Sequence, residues 1–131
     1  MLYLIDTSAW ILALRKNGNR DAINIISAIL DEDTAATCPI IMLELLSGVK
    51  SKKQYEELLE DLKALHNIPI TDEVWEYSFK LGFELRNRGI TVPAADILIA
   101  SAAIKYDQIL LHYDKHFDLI SNRSKLKVKR M

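Results

Sequence analysis

A three-layer α/β/α fold around a short, mainly parallel sheet is the fold class that the sequence predicts, and three observations predict it. Short apolar runs of strand length alternate along the chain with segments whose apolar residues recur at helical spacing. The strand candidates, such as Met1 to Ile5 and Ile109 to Leu111, are apolar on consecutive positions, the pattern of strands covered on both faces. No repeat, low-complexity tract or Pro/Gly-rich linker divides the chain, so residues 1–131 are expected to form a single domain.

Each element follows from its residues. Met1 to Ile5 reads as a strand that passes at Asp6-Thr7-Ser8-Ala9-Trp10 into a helix. Ala22, Ile25, Ile26 and Ile29 define a second helix, stopped by Asp31-Glu32-Asp33 before a strand over Thr34 to Cys38. Pro39 suits the first turn of a helix that ends at Gly48. Tyr55, Leu58, Leu59 and Leu62 share one face of an amphipathic segment whose other face is charged. His66 to Ile70 is a weak strand candidate. Thr71 is placed as an N-cap, followed by Asp72 and Glu73 in the first turn of a helix through Val74, Trp75, Phe79, Leu81 and Leu85 that Gly89 closes. The helix around Asp96 is apolar nearly all round until Lys105, which places it centrally. Ile109 to Leu111 is then a central strand, and Leu126 to Val128 an edge strand.

With 131 residues, 50% of them hydrophobic, the chain can bury a core of its own. Its net charge of -1 argues against a globally basic nucleic-acid binder but leaves room for a local groove whose positive charge comes from bound cations. Cys38 is the only cysteine, so no internal disulfide forms, and its apolar context suggests a buried thiol in a reducing cytoplasm. No stretch approaches the roughly 20 apolar residues of a membrane span, and the N-terminus lacks the basic leader of a signal peptide.

Four acidic residues carry the functional argument. Asp6 and Asp114 follow strand-like runs, whereas Glu44 is the lone charge of an otherwise buried-looking helix and Asp96 that of an otherwise apolar one. Ionised carboxylates are seldom buried without a partner, and no lysine or arginine stands beside these at helical spacing. Ligands in parallel sheets gather beyond the carboxyl ends of the strands, where these residues are expected. A hard divalent cation is the economical partner. Singly, Asp6 also suits a helix cap and Asp114 a turn. His112 and His116 could pair on a soft metal, but with no cysteine nearby they are read as ordinary, partly exposed histidines, Asp118 as part of a solvated helix face, and Trp10 and Trp75 as packing residues. The basic groups Lys125, Lys127, Lys129 and Arg130, Lys50, Lys52 and Lys53, and Arg86 and Arg88 are solvated faces or phosphate contacts.

In Leu4-Ile5-Asp6-Thr7-Ser8, the Glu44 helix ending in Ser47-Gly48, the block from Arg88 through Pro93-Ala94-Ala95-Asp96 to Ala100, and Asp114 to Phe117, the chain resembles the PIN domain, and within it the VapC toxins of toxin-antitoxin pairs. The resemblance implies a PIN-like fold and a cytoplasmic endoribonuclease in which Asp6, Glu44, Asp96 and Asp114 hold Mg²⁺ or Mn²⁺. It ranks Asp6 and Asp96 as the firmest ligands and Asp114 next, with Glu44 a ligand or a base acting through water, and Thr7 or Ser8 bonded within the site. It also implies an RNA substrate, with transfer RNA one candidate, a small cognate antitoxin and a homodimer. The chain departs from the family where a threonine and an acidic residue commonly flank the last aspartate, with His112 and His116 in their places, and this bears on a second metal ion. A scaffold that binds metal or a basic peptide without cutting is the alternative. An aspartate-nucleophile phosphatase would want an aspartate where Ser8 stands, and a response receiver an acidic pair near the first strand.

Overall fold

The computed structural model describes residues 1–15 and 17–131. In chain order the elements are β1 (Tyr3–Ile5), α1 (Thr7–Leu14), α2 (Arg20–Asp31), β2 (Ala35–Thr37), α3 (Pro39–Ser47), α4 (Lys52–Lys63), β3 (His66–Asn67), α5 (Asp72–Asn87), α6 (Ala94–Lys105), β4 (Ile109–His112), α7 (Lys115–Ser121) and β5 (Lys127–Arg130). The five strands form one sheet in the order β3-β2-β1-β4-β5, and every neighbouring pair is parallel.

Alternation along β1 builds the three layers. Leu4 points to one face and packs with Leu110, Ile41, Leu85, Ile99 and Phe117, from β4, α3, α5, α6 and α7. Ile5 points to the other and packs with Leu111, Ala9, Leu12, Ile26 and Ile29, from β4, α1 and α2. A strand covered on both sides must be apolar on both, which is why β1 and β4 read as unbroken apolar runs. α6 lies in the middle as expected, with Leu98 to Ala103 all buried.

Local chemistry ends the helices where the sequence marks them. Asn19, Ser51 and Thr71 cap α2, α4 and α5 through their side chains. Gly89 adopts φ +77°, and Gly89 N–H to Arg86 O with Ile90 N–H to Leu85 O closes α5 in a Schellman turn.

Two expectations are corrected. α3 is not a buried helix: of its residues only Ile41 is fully buried, and Leu43 is 63% exposed, because α3 meets the core along one edge. Trp75 and Phe79 do not pack inward, since the buried positions of α5 are Val74, Ser78, Leu81 and Leu85.

The sheet order places the site. The chain moves outward from β1 to β2 and β3, then returns to the other side of β1 with β4 and β5. The carboxyl ends of β1 and β4 are therefore the switch point, where connections diverge and leave a crevice.

Candidate active site

Asp6 and Asp114 emerge at that crevice. Asp6 follows β1 directly, and its N–H donates to Leu111 O of β4 at 2.9 Å. It is also the N-cap of α1: Oδ2 accepts the Ser8 N–H at 3.0 Å and the Ser8 hydroxyl. Ser8 Oγ in turn accepts the Tyr113 N–H at 2.9 Å, so one hydroxyl joins the exits of both strands. Asp114 caps α7 by accepting the His116 N–H at 2.9 Å, and its own N–H donates to His112 Nδ1 at 3.1 Å. The capping and functional readings of Asp6 are thus compatible, and Asp114, which singly suits a turn, is a helix cap as well; capping orients each carboxylate.

Asp96 enters from the first turn of α6. His116 Nδ1 lies 2.9 Å from Asp96 Oδ2 and 3.3 Å from Asp114 Oδ1. Asp96, Asp114 and His116 each offer a ligand atom, and these atoms lie within 4.8 Å of one another. Asp6 is outside this tight group, yet its charge is felt there. Burial, joined by the charges of Asp114 and Asp6, pushes the Asp96 carboxyl up to about 6 against the hydrogen bond from His116. Burial also raises Asp6, opposed by its bonds from Ser8 and reinforced by the Asp114 charge.

The group tolerates its crowded charge poorly, and among the described residues no lysine or arginine is salt-bridged to Asp6, Asp96 or Asp114. A divalent cation would relieve the repulsion. The carboxylate oxygens of Asp96 and Asp114 are the hard donors that such a cation takes.

Glu44 is placed differently. Its side chain is exposed on α3, where Oε1 accepts the Thr7 hydroxyl at 2.9 Å. Thr7 and Ser8, adjacent in sequence, thus serve Glu44 and Asp6 respectively.

Of the two histidines read as ordinary and partly exposed, His116 is partly exposed but bonded within the site, and His112 departs from the expectation. His112 is fully buried, because it is the last residue of central strand β4 and packs edge-on against Phe117 at 5.4 Å. Burial holds its pKa down. With Nδ1 accepting from Asp114, the proton belongs on Nε2, 3.4 Å from Asp118 Oδ1 but off the line of a good hydrogen bond. Asp118 is not simply solvated, since it also pairs with Arg130. His116 is the site residue that the sequence reading set aside. Its position, two residues after Asp114 where the family often carries an acid, was the available signal. Cys38 is fully buried and burial pushes its thiol up, which removes it as a nucleophile.

Comparison with known proteins bears on the family and the fold. The PIN domain family model matches residues 3–122. Ribonuclease VapC18 of Mycobacterium tuberculosis is 31% identical over 125 residues, covering 92% of this chain and 88% of the relative. Ribonuclease VapC2 of Rickettsia felis is 30% identical over 127 residues, covering 93% and 94%. Among solved structures, a crystal structure of VapBC2 from Rickettsia felis bound to a DNA fragment from their promoter superposes with a TM-score of 0.81 at 26% identity, covering 100% of this chain and 99% of that one. Since the family model spans most of the sequence and relatives near one-third identity span almost all of it, this chain belongs to the PIN-domain family, among the VapC ribonucleases.

Proposed function

We propose that this protein is an endoribonuclease that hydrolyses RNA phosphodiester bonds with Mg²⁺ or Mn²⁺ held by Asp6, Asp96 and Asp114, and that it is the toxin of a type II toxin-antitoxin pair. The observation that carries the reading is the meeting of Asp96 with Asp114 at the β1/β4 switch point, with Asp96 pushed up to about 6. When bound, the ion supplies an activated water and offsets charge gathering on the phosphate in the transition state. The chain's residues do the holding. Ser8 and the α1 N-terminus fix Asp6, the α7 cap fixes Asp114, and His116 orients Asp96. Glu44, whose Oε1 accepts the Thr7 hydroxyl, is the proposed fourth ligand or the acceptor of a proton from water. Residues 1–131 act as one PIN-like domain.

Two surfaces support the partners. An apolar groove of about 290 Å³ lined by Trp10, Leu14, Leu30, Leu45, Leu58 and Leu62 suits an apolar antitoxin segment. The stripe Trp75, Phe79 and Phe83 on α5, with Phe79 66% and Phe83 68% exposed, suits a homodimer face. The cytoplasm is the proposed location, in keeping with a single, buried cysteine.

The test is cleavage of a panel of single-stranded and transfer RNAs by antitoxin-free protein, with Mn²⁺ or with EDTA, beside Asp96→Asn. Cutting is expected with Mn²⁺ alone and is expected to fall by at least 100-fold in the variant, since even residues that only support a ligand cost about 10–100-fold. The second reading, a scaffold that binds metal without cutting, rests on His116, whose nitrogen already lies against both Asp96 and Asp114. Folded protein that binds Mn²⁺ and leaves every RNA intact would establish that reading instead.

A further inference from the structure

Tyr113 stands between His112, which ends β4, and Asp114 in the acidic site. Its surroundings are unusually well fixed for a residue 49% exposed. The Tyr113 N–H donates to Ser8 Oγ at 2.9 Å, and the next N–H, that of Asp114, donates to His112 Nδ1 at 3.1 Å. The carbonyl of His112 accepts the Met131 N–H at 2.9 Å. The peptide that carries the ring is thus pinned from α1, from the core and from the chain after β5.

The ring is backed as well. The Arg130 guanidinium lies over it, 5.4 Å from the centroid, and is itself held by Asp118. The exposed remainder of the ring faces solvent. An aromatic ring held rigid in this way can stack on a flat ligand with little ordering to pay for on binding. Because Asp118 pairs with Arg130, the guanidinium serves to hold the ring rather than to offset the charges of Asp6, Asp96 and Asp114.

The other exposed rings are placed or engaged differently: Tyr55 lies on α4. Trp75, Phe79 and Phe83 lie on α5, and the Tyr106 hydroxyl is bonded to Pro69 O at 3.1 Å. Tyr113 is the ring whose chain neighbour is a site carboxylate.

Resting on the proposed ribonuclease reading, we propose that Tyr113, backed by Arg130, is a stacking platform for one nucleobase of single-stranded RNA and so sets which phosphate enters the acidic site. Stacking accepts any base, because every base has a π-face, so the platform positions the strand without selecting its sequence.

The test uses full-length protein carrying Asp96→Asn to prevent cutting, and a labelled short single-stranded RNA that the wild-type protein cleaves with Mn²⁺. Binding is followed by fluorescence anisotropy for the parent, Tyr113→Ala and Tyr113→Phe, on the intact RNA and on a set in which each nucleotide in turn is abasic. Tyr113→Ala is expected to weaken binding roughly tenfold and Tyr113→Phe to stay within about twofold. One abasic position, next to the cut, is expected to weaken the parent by the same factor and to leave Tyr113→Ala unchanged. A structural role for the ring does not produce that non-additivity.

The platform is overturned if Tyr113→Ala binds as tightly as the parent, if its loss is equal on every abasic RNA, or if the parent tolerates every abasic position. The last result needs no variant. A wild-type protein that cuts no RNA removes the ribonuclease reading and this inference together, whereas cutting with a silent Tyr113→Ala removes only the platform.

Discussion

Asp96 is the residue at which the fold works against itself. Its folded pKa of about 6 lies above the ordinary 3.8, so the folded chain holds this proton more tightly than the unfolded one. Below about pH 4 both states are protonated and no penalty exists. As pH rises from about 4 to about 6 the unfolded chain ionises first and the folded state loses stability, and above that window it carries a penalty on the order of 2–3 kcal/mol. In EDTA at pH 7.5, Asp96→Asn is therefore expected to melt above the wild type, with the gap closing toward pH 4. Mn²⁺ is expected to raise the melting temperature of the wild type and not of the variant. Equal melting curves at both pH values would show that Asp96 is not under this strain. The same residue shows what sequence can disclose, because a single carboxylate in an apolar helix demands compensation where that helix is buried, as α6 is and the Glu44 helix α3 is not. That the compensation includes His116, twenty positions away, was not legible, since nothing local links the two.

At the scale of elements, α5 is the piece most open to a simple test. Gly82 lies inside this helix against α6, and a Cβ added there would meet Ile97 Cδ1 at 3.4 Å, an ordinary contact with the end of a flexible side chain. Gly82→Ala is expected to stabilise by about 0.5–1 kcal/mol through helix propensity alone, raising Tm by roughly 2–5 °C. Gly89→Ala is expected to do the opposite, costing about 1–2 kcal/mol, because φ +77° at the Schellman position is strained for any residue with a Cβ. Differential scanning calorimetry of the two variants checks both signs. A loss of stability in Gly82→Ala would mean that α6 cannot yield at Ile97. Helix ends such as Thr71 and Gly89 were readable because caps are chosen within one turn. The exposure of Trp75 and Phe79 was not, because an aromatic stripe at helical spacing looks the same whether it faces a core or a surface left for a partner.

For the whole molecule, that stripe predicts self-association. Phe79→Lys with Phe83→Lys is expected to convert a dimer to a monomer in sedimentation, with the fold retained because both rings lie outside the core. A wild-type protein that already sediments as a monomer would remove the dimer face. The sequence by itself determined the class of the fold, the alternation of strands and helices, the helix bounds at Thr71, Gly48 and Gly89 and the four acids worth watching. Those features depend on periods of about 2 and 3.6 residues and on hydrogen bonds within a turn, all of which are local. Only the tertiary structure decided the strand order β3-β2-β1-β4-β5, the closure of Asp114 and His116 on Asp96, the burial of His112 and the exposure of α3. The bond from Tyr113 to Ser8 spans 105 positions. Which distant strands pair is settled by how all the apolar faces can be covered at once, and no single segment carries that information.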